Sequence, residues 1–534
     1  MTTECYPISI LPHSSRIFLD FVERREPLAP FYASSPYSNQ WVARPPSLES
    51  GRREAIADLL EEQNRSFGGG AAAHANIARL RAGAGAVVTG QQVALFGGPL
   101  FTLLKAATAI RKAQDATAAG SPHVPIFWLA TEDHDLAEAN HVALPSRHEL
   151  HTLTLDAPHH AGEPVGSVKL GSSIRAQLDQ AANLLGFGPL LDDLERFYTV
   201  EATFGEAFAR LLPSVFAEQG LIVIDASARA FHALGADVLR QAITRSGELN
   251  QALLARDREL AAAGYHSQVL VAPQSSLLFL LDAESHIRQA LKRTADGEWQ
   301  AGKTHYTEAE LLAILDAEPE RLSPNALLRP VFQDCLLPTS AYVGGPAEIA
   351  YFAQTQVLYD ALLGRTTPIL PRLSATLIEP AIAKVMAAHE LTLQDVLSYS
   401  PDQLAQRLGA RSMPVEGKRA LAAAGNSLET ELEALTAWMR SLDADLGRSA
   451  EVAASKMRYQ MNRLRRLGAN HQLQREQSLR RHVDALYLNL FPDQHPQERI
   501  MGAAWFLSRY GESLPALLIE HAAQECPGHK AIYL

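Results

Sequence analysis

Short apolar runs alternate with helical stretches through the first part of the chain. Apolar segments at 86–88, 124–130 and 221–225 predict buried strands, and 51–82 and 99–113 predict helices, the first broken at Gly68–Gly70. The stretch 331–346 and the run 367–371 return to strand character. Strand, helix and strand in succession indicate a parallel sheet with helices on its faces, so an α/β fold is predicted.

The spacing of these strands predicts insertions and a domain order. The interval between the second and third strands is too long for one crossover, so we expect an insertion near 131–220, and a second near 283–330. We predict a core over 1–375, a helical coiled-coil arm over 376–490, and a segment over 491–534 that returns to the core.

A heptad pattern marks the arm. Large apolar residues recur at spacings of 4, 3, 4, 3 and 4, which is typical of a coiled coil: Leu428, Leu432, Leu435, Met439, Leu442 and Leu446. We predict one helix over 427–467 and a second over 470–490. The first half is acidic and the later part basic, so antiparallel or two-chain pairing would oppose unlike charges. A solvated helical face is the alternative, and pairing within or between chains stays open.

The composition excludes several classes of protein. A net charge of −11 argues against broad binding to nucleic acid. The chain starts without a basic segment and apolar run, and no apolar stretch reaches about 18 residues, so we expect neither signal peptide nor membrane span. Cys5, Cys335 and Cys526 are far apart, so neither a disulfide framework nor a zinc site is predicted, and a reduced, cytoplasmic setting is expected.

Two strand ends carry unusual residues. Ligands of parallel sheets bind beyond the carboxyl ends of the strands, so both loops are candidate site segments. The first combines amides with a glycine turn before a helix: Gln91, Gln92, Gly97, Gly98, Pro99 and Lys105. The second combines carboxylates with imidazoles: Glu132, Asp133, His134, Asp135, Asn140 and His141. The alternatives are a plain β–α turn and an exposed acidic loop at a helix start.

Two later segments add candidate site residues, and the first of them repeats the arrangement of strand, glycines and helix. Tyr342, Gly344, Gly345 and Glu348 form another strand, Gly-Gly-Pro and helix sequence, in which Glu348 could bind a ligand or simply cap the helix. Arg372 and Ser374 lie in a basic loop that could meet a phosphate or carboxylate, and a structural ion pair is the alternative.

These segments resemble those of the cysteine-adding enzymes (BshC) of bacillithiol biosynthesis. TGQQVALFGGPLFTLLKA is similar to the family's T-G-Q-Q-x-G-x-x-x-G-P-L-Y-x-x-x-K stretch, and WLATEDHDLAEANHV to its W-(V/L)-A-x-E-D-H-D-x-x-E-x-N-H segment. Ala94 and Phe101 depart from the family's Gly and Tyr. The likeness covers nearly the whole chain and includes later segments: YVGGPAEIAYFAQ, PRLSATLIEP, and Leu490, Phe491, Pro492, Gln497, Glu498 and Arg499.

The resemblance implies a fold and a reaction. The fold is a Rossmann-like core related to class I nucleotidyltransferases and aminoacyl-tRNA synthetases, with a coiled-coil arm that supports a homodimer. The reaction is addition of L-cysteine to glucosaminyl-malate. Since a free carboxylate is a poor acyl donor, we expect ATP or another adenine nucleotide to activate it, as an acyl-adenylate or acyl-phosphate.

A working hypothesis follows for the residues. The Gln91 and Gln92 amides and the N–H groups after Gly97–Gly98 would hold phosphate or carboxylate oxygens, and the acid–histidine loop would hold an amine whose proton passes to His134. No metal site is assigned. A metal-dependent hydrolase and a non-catalytic coiled-coil scaffold remain alternative functions. The hypothesis requires the two loops to converge at one sheet edge.

Overall fold

A computed structural model describes residues 3–43, 45–294, 296–475, 477–523 and 526–534. In this part of the chain the strands are β1 (Thr3–Pro7), β2 (Gly85–Gln91), β3 (His123–Leu129), β4 (His141–Pro145), β5 (Leu150–Thr154), β6 (Ile222–Asp225), β7 (Ser275–Leu281), β8 (Arg288–Arg293), β9 (Trp299–Ala301), β10 (Thr304–Tyr306), β11 (Leu322–Pro324), β12 (Thr339–Gly344), β13 (Ile369–Pro371), β14 (Ser374–Ile378) and β15 (Gly528–Tyr533).

The α-helices of the same residues join and cover these strands. They are α1 (Arg16–Val22), α2 (Ser50–Phe67), α3 (Ala71–Arg81), α4 (Phe101–Ala118), α5 (Leu136–Ala139), α6 (Ile174–Leu185), α7 (Pro189–Phe197), α8 (Phe204–Val215), α9 (Arg229–Thr244), α10 (Ser246–Ala262), α11 (Glu308–Ala317), α12 (Arg329–Leu336), α13 (Pro346–Leu363), α14 (Pro380–Ala388), α15 (Leu393–Ser398), α16 (Pro401–Ser412), α17 (Val415–Leu442), α18 (Ala444–Arg475), α19 (Gln477–Leu490), α20 (Gln497–Ile500), α21 (Ala503–Tyr510) and α22 (Ser513–Ala523).

A parallel sheet forms the centre of the fold, which confirms the predicted α/β class. Its strands lie in the order β13, β12, β2, β3 and β6, and each neighbouring pair is parallel. From β2 the chain passes through α4 to β3 on one side, whereas β12 pairs with β2 on the other. The direction of winding therefore reverses between β2 and β12, and such a reversal opens a crevice beyond the strand ends.

Alternate side chains of the sheet enter separate apolar cores. Val88 and Ile126 join one buried cluster, whereas Phe127 and Val223 join another on the opposite face. All seven residues of β3 are buried, as expected for a parallel strand with helices on both faces. This explains why the apolar runs of the sequence predict these strands correctly.

Three smaller sheets surround the core. The residues between β3 and β6 form helices and the antiparallel pair β4–β5, and 275–324 contains an antiparallel sheet in the order β10, β9, β8, β7 and β11. β15 pairs in parallel with β14 and antiparallel with β1. The last residues of the chain thereby lie beside its first strand.

The expected strand character of 331–346 is wrong in its first half. Residues Arg329–Leu336 form α12, and the strand begins only at Thr339. Pro330 stands in the first helical turn, where its missing N–H is not needed. The apolar run is helical because it packs as a buried helix, which short apolar runs do not distinguish from a strand.

The predicted single helix over 427–467 is also wrong. α17 ends at Leu442 and α18 starts at Ala444, so the arm doubles back as a helical hairpin within one chain. Asp443 is extended between them, and its carboxylate accepts hydrogen bonds from the N–H groups of Asp445 and Leu446. Asp443 thus caps the second helix, a role that its residue type permits and the heptad count overlooks.

The opposed charges of the arm pair within the hairpin. The Arg458 guanidinium of α18 lies 2.9 Å from Glu429 of α17, so the basic helix faces the acidic one, and it also lies 3.1 Å from Glu451 of its own helix. Leu432 and Met461 are buried between the helices. Other large apolar side chains of the arm remain exposed: Leu435, Trp438, Leu442, Leu446, Val452, Met457, Tyr459, Leu464 and Leu467.

The cysteines differ from expectation. Cys5 and Cys526 form a disulfide with their Cα atoms 6.0 Å apart, because the β1–β15 pairing brings the chain ends together. Three separate thiols were expected, and a separation of 521 residues hides the pairing from the sequence. Burial raises the pKa of the remaining thiol, Cys335, to about 12. Among the described residues, no helix has the length and hydropathy needed to cross a bilayer.

Candidate active site

A cleft opens at the carboxyl ends of β2, β3 and β12. Its cavity of about 430 Å³ lies at the reversal point of the central sheet. Residues from all four predicted segments line it: Gln91, Gln92, Lys105, Asp133, Tyr342, Gly345, Glu348 and Arg372. The convergence of the loops that follow β2 and β3, on which the hypothesis depended, is therefore present in the structure.

The two glutamines connect the cleft walls. Gln92 donates a hydrogen bond of 2.9 Å to the main-chain carbonyl of Asp135, which joins the amide loop to the acid–histidine loop. Gln91 accepts a hydrogen bond of 3.0 Å from the Lys105 ammonium. Lys105 also donates to the Gly90 carbonyl at 2.7 Å and contacts the Glu348 carboxylate. Lys105 lies one turn into α4, yet its long side chain reaches the cleft floor.

Lys105 and Glu348 form a buried ion pair. Burial lowers the pKa of Lys105. Burial alone would raise the pKa of Glu348, but the Lys105 charge and the Gly345 N–H lower it, so the carboxylate is ionised. Tyr342 donates to the same carboxylate at 2.6 Å, and the Gly345 N–H donates at 2.7 Å. Glu348 therefore caps α13 and also neutralises the Lys105 ammonium of α4.

The glycine turn offers fewer free N–H groups than were expected. Gly97 donates to the Tyr198 hydroxyl, Gly98 to the Leu95 carbonyl and Leu100 to the Met501 carbonyl. Gly97 and Gly98 have φ angles of 85° and 66°, which residues with a Cβ rarely adopt. The glycines thus serve the backbone geometry. Pro99 lines an adjoining cavity of about 240 Å³.

The acid–histidine loop is divided among several tasks. Asp133 faces the cleft, whereas Glu132 turns to the buried His232, with its carboxylate 3.1 Å from Nε2. The Asp135 carboxylate accepts from the Glu138 N–H and caps α5. His134 lies 5.7 Å from the Phe279 ring, between centroids, and is absent from the described cavity lining. The loop is therefore not one cluster, because its neighbours point alternately into and away from the cleft.

The residues that follow this loop are mainly structural. Asn140 donates to the Leu155 carbonyl at 3.2 Å. His141 pairs with the Ala137 carbonyl at 2.9 Å through Nδ1 and lines the adjoining cavity. Within the described ranges, no group of three or more His, Cys, Asp and Glu side chains is arranged to hold a metal ion.

A buried polar network holds Arg372 at the cleft. Arg372 donates to the Glu498 carboxylate at 2.7 Å, and Ser374 and the Ala375 N–H donate to the same group. His529 lies 2.8 Å from the Ser374 hydroxyl through Nδ1. Burial would raise the pKa of Glu498, but the Arg372 guanidinium lowers it. The structural ion pair considered for Arg372 is thus present, while its side chain also lines the cavity.

Three charged residues of the cleft were not predicted as site residues. Glu138, Arg329 and Arg499 all line the cavity. Burial, followed by the Asp135 and Asp133 charges, raises the pKa of Glu138. Glu138 and Arg499 lie in the quoted resemblance segments, which could have identified them, whereas no sequence pattern marks Arg329. The described lining of the cleft consequently carries charges of both signs, with the carboxylates of Asp133, Glu138 and Glu348 and the guanidiniums of Arg329, Arg372 and Arg499.

The fold and cleft define a Rossmann-like α/β protein with a polar site at the sheet reversal and a helical hairpin arm. Residues 1–373 match the family model described as the bacillithiol biosynthesis BshC N-terminal Rossmann-like domain. Residues 375–534 match that of the BshC C-terminal coiled-coil domain. The chain belongs to the BshC family.

Curated relatives match over the whole chain. A Koribacter versatilis protein named "Putative cysteine ligase BshC" is 42% identical over 539 residues, with 100% of both chains covered. A protein of the same name from Solibacter usitatus is 37% identical with the same coverage. The counterpart from Chlorobaculum tepidum is 33% identical, covering 87% of this chain and 85% of its own.

Proposed function

We propose that this protein is a cysteine ligase that joins L-cysteine to the amine of glucosaminyl-malate in bacillithiol biosynthesis. The presence of both carboxylates and guanidiniums in one cleft is the observation that carries the proposal. Asp133 and Glu138 suit an ammonium group, and Arg372 and Arg499 suit carboxylates. The names of the full-length relatives support the choice of cysteine as acyl donor.

In this proposal, a carboxylate of the cleft accepts the proton. The new bond joins the cysteine carbonyl carbon to the sugar nitrogen and replaces a carbon–oxygen bond, whose oxygen would leave with the activating group. The sugar ammonium must first lose a proton, so that its nitrogen has a free electron pair. Glu138 suits this task because its raised pKa makes it a stronger base than an exposed carboxylate, and it faces the cleft. Glu138 is therefore favoured as the proton acceptor over His134, whose ring lies beside Phe279.

An adenine nucleotide remains part of the proposal. When bound, it would convert the cysteine carboxylate into a better acyl donor. The Arg329 guanidinium and the Gln91 and Gln92 amides line the cleft and fit phosphate or carboxylate oxygens. The Gly97–Gly98 turn does not contribute, since its N–H groups already have protein acceptors.

We also propose a homodimer formed through the arm. Its cytoplasmic setting is proposed from the ligase function and not from the cysteines, since two of the three form a disulfide. The hairpin buries only part of its apolar stripe, and Trp438 and Leu442 remain 56% and 59% exposed. A second copy of the arm would cover this surface, because heptad side chains pack best against another helix. This arrangement would combine the pairing within one chain with pairing between chains.

The test is a ligation assay with matched variants. Wild-type protein is incubated with cysteine, glucosaminyl-malate and ATP, and the thiol conjugate is measured by mass spectrometry. Glu138→Gln should lower kcat/KM by about 100-fold, the loss typical of a missing general base. His134→Gln, in the same loop, is the matched control and should stay within about threefold of wild type. The absence of conjugate under every nucleotide condition would refute the ligase proposal, and a larger loss in His134→Gln would refute the assignment of Glu138.

A further inference from the structure

A side pocket continues from the cleft towards both ends of the chain. It has a volume of about 200 Å³ and lies between residues 11–14 of the N-terminal arm and 495–499 of the tail. Pro346, Arg372 and Arg499 line both this pocket and the main cleft. A substrate bound in the main cleft could therefore extend one group into the side pocket and keep its contacts with these three residues.

The side pocket has more positive than negative charge. Glu498 is its only carboxylate among the described lining residues, and that group already accepts from Arg372, Ser374 and the Ala375 N–H. Arg372 uses its two terminal nitrogens on Glu498 and the Leu373 carbonyl, which leaves its buried Nε without a partner. The Nε atom is enclosed by the protein, so Arg372 contributes its positive charge to the pocket and not a free N–H.

Arg499 supplies an accessible donor group to the side pocket. In the part of the chain that the structure describes, its guanidinium has neither a hydrogen-bond partner nor an ion-pair partner. Partial burial and the nearby Arg372 charge lower the pKa of Arg499. Two like charges held side by side, with one carboxylate already occupied, favour binding of an anion.

The backbone around the side pocket is strained on both sides. His13 has a φ of 61°, and Asp493 and Gln494 have φ angles of 51° and 58°. Such left-handed residues cost about 1–3 kcal/mol each and persist at sites where the surroundings fix them. They bring His13 and His495 together with ring centroids 5.9 Å apart, so imidazoles and not carboxylates form the rim.

We propose that this side pocket binds the carboxylates of the amino-sugar substrate, with Arg499 as the direct donor and the Arg372 charge beside it. This rests on the proposed function, since it places the acidic substituent of that substrate in the side pocket while its amine lies in the main cleft. A pocket of about 200 Å³ suits a small dicarboxylate group. A phosphate shares the same chemistry, and the experiment separates the two sources.

Arg499 is the residue to change, because replacing Arg372 would leave Glu498 buried without its cation. Isothermal titration calorimetry without cysteine measures binding of glucosaminyl-malate, of methyl glucosaminide, which lacks carboxylates, and of ATP. Arg499→Met should weaken glucosaminyl-malate binding by about 10- to 100-fold, as expected for lost charge-assisted hydrogen bonds, and leave methyl glucosaminide unchanged. Arg499→Lys should show an intermediate loss, and the remote exposed Arg196→Met should match wild type.

Three outcomes would overturn the subsite. These are unchanged glucosaminyl-malate binding in Arg499→Met, an equal loss for both sugars, or a loss confined to ATP, which would make the pocket a phosphate site. Failure of the proposed function is distinguishable. A wild-type protein that binds glucosaminyl-malate through Arg499 but forms no conjugate would sink the ligase proposal and retain the subsite.

Discussion

His529 lies at the base of the network that holds Arg372, and its titration should control part of the acid stability. The ring is fully buried, with Nδ1 2.8 Å from the Ser374 hydroxyl and Nε2 2.8 Å from the Thr376 hydroxyl. Burial lowers its pKa from 6.5 to about 4, against the attraction of Glu498. The folded protein therefore holds the neutral imidazole, whereas the unfolded chain takes up a proton near pH 6.5.

The sign and size of the effect follow from these two values. Since the folded pKa is depressed, the contribution to the free energy of unfolding is complete above pH 6.5 and is lost as the pH falls towards 4. One pKa unit corresponds to about 1.4 kcal/mol, so the loss between pH 7 and pH 4 is about 3 kcal/mol. The stabilisation that comes from carboxylates such as Glu498 also falls as the pH falls, so the experiment must separate the contribution of the imidazole.

His529→Gln provides that comparison. Urea unfolding followed by tryptophan fluorescence gives the free energy of unfolding of wild type and variant at intervals from pH 7 to pH 4. The variant should be less stable at pH 7, because glutamine does not reproduce both hydrogen bonds of the imidazole. The difference in free energy of unfolding between wild type and variant should shrink by about 3 kcal/mol by pH 4. His305→Gln, at a half-exposed position on β10, should follow the wild-type profile throughout. A wild-type–variant difference that stays constant with pH would refute this reasoning.

Two further predictions concern the cleft and the arm. Glu348→Gln leaves the buried Lys105 without a carboxylate partner. The free energy of unfolding, measured with urea, should fall by about 3–5 kcal/mol. A loss below about 1 kcal/mol would show that the Lys105 charge does not depend on Glu348 for compensation. Trp438→Glu should convert a dimer into a monomer in sedimentation velocity with unchanged circular dichroism, whereas Glu431→Ala on the same helix should remain dimeric. Persistence of the Trp438→Glu dimer would contradict pairing through this face.

The local features of the fold were accessible from the sequence. The strands at 85–91 and 123–129 were predicted because their apolar runs are continuous, and burial on both faces demands such runs. The loops that follow them were identified because Gln91, Gln92 and Asp133 have little reason to occupy strand ends for packing alone. Helix breaks were harder to predict from the sequence. Asp443 fits the pattern of an acidic helix face, and only the structure shows that it caps the second helix.

The assignment of individual groups within the site depended on distant neighbours. The Gly97 and Gly98 N–H groups would be free in an isolated turn, but Tyr198 and the local backbone accept from them. His134 and Asp133 are adjacent in sequence, yet only Asp133 faces the cavity. Arg499 reaches the cleft from the tail because 497–500 packs beside β14 through Glu498.

The sequence by itself determined the α/β class, the family and the two chemistry-bearing loops, because residue type and periodicity are local properties. Only the tertiary structure decided which polar groups are satisfied by the protein and which are left for a ligand. Arg372 and Glu498 form an ion pair across 126 residues of sequence, and Cys5 and Cys526 form a disulfide across 521, so no local pattern records these partners.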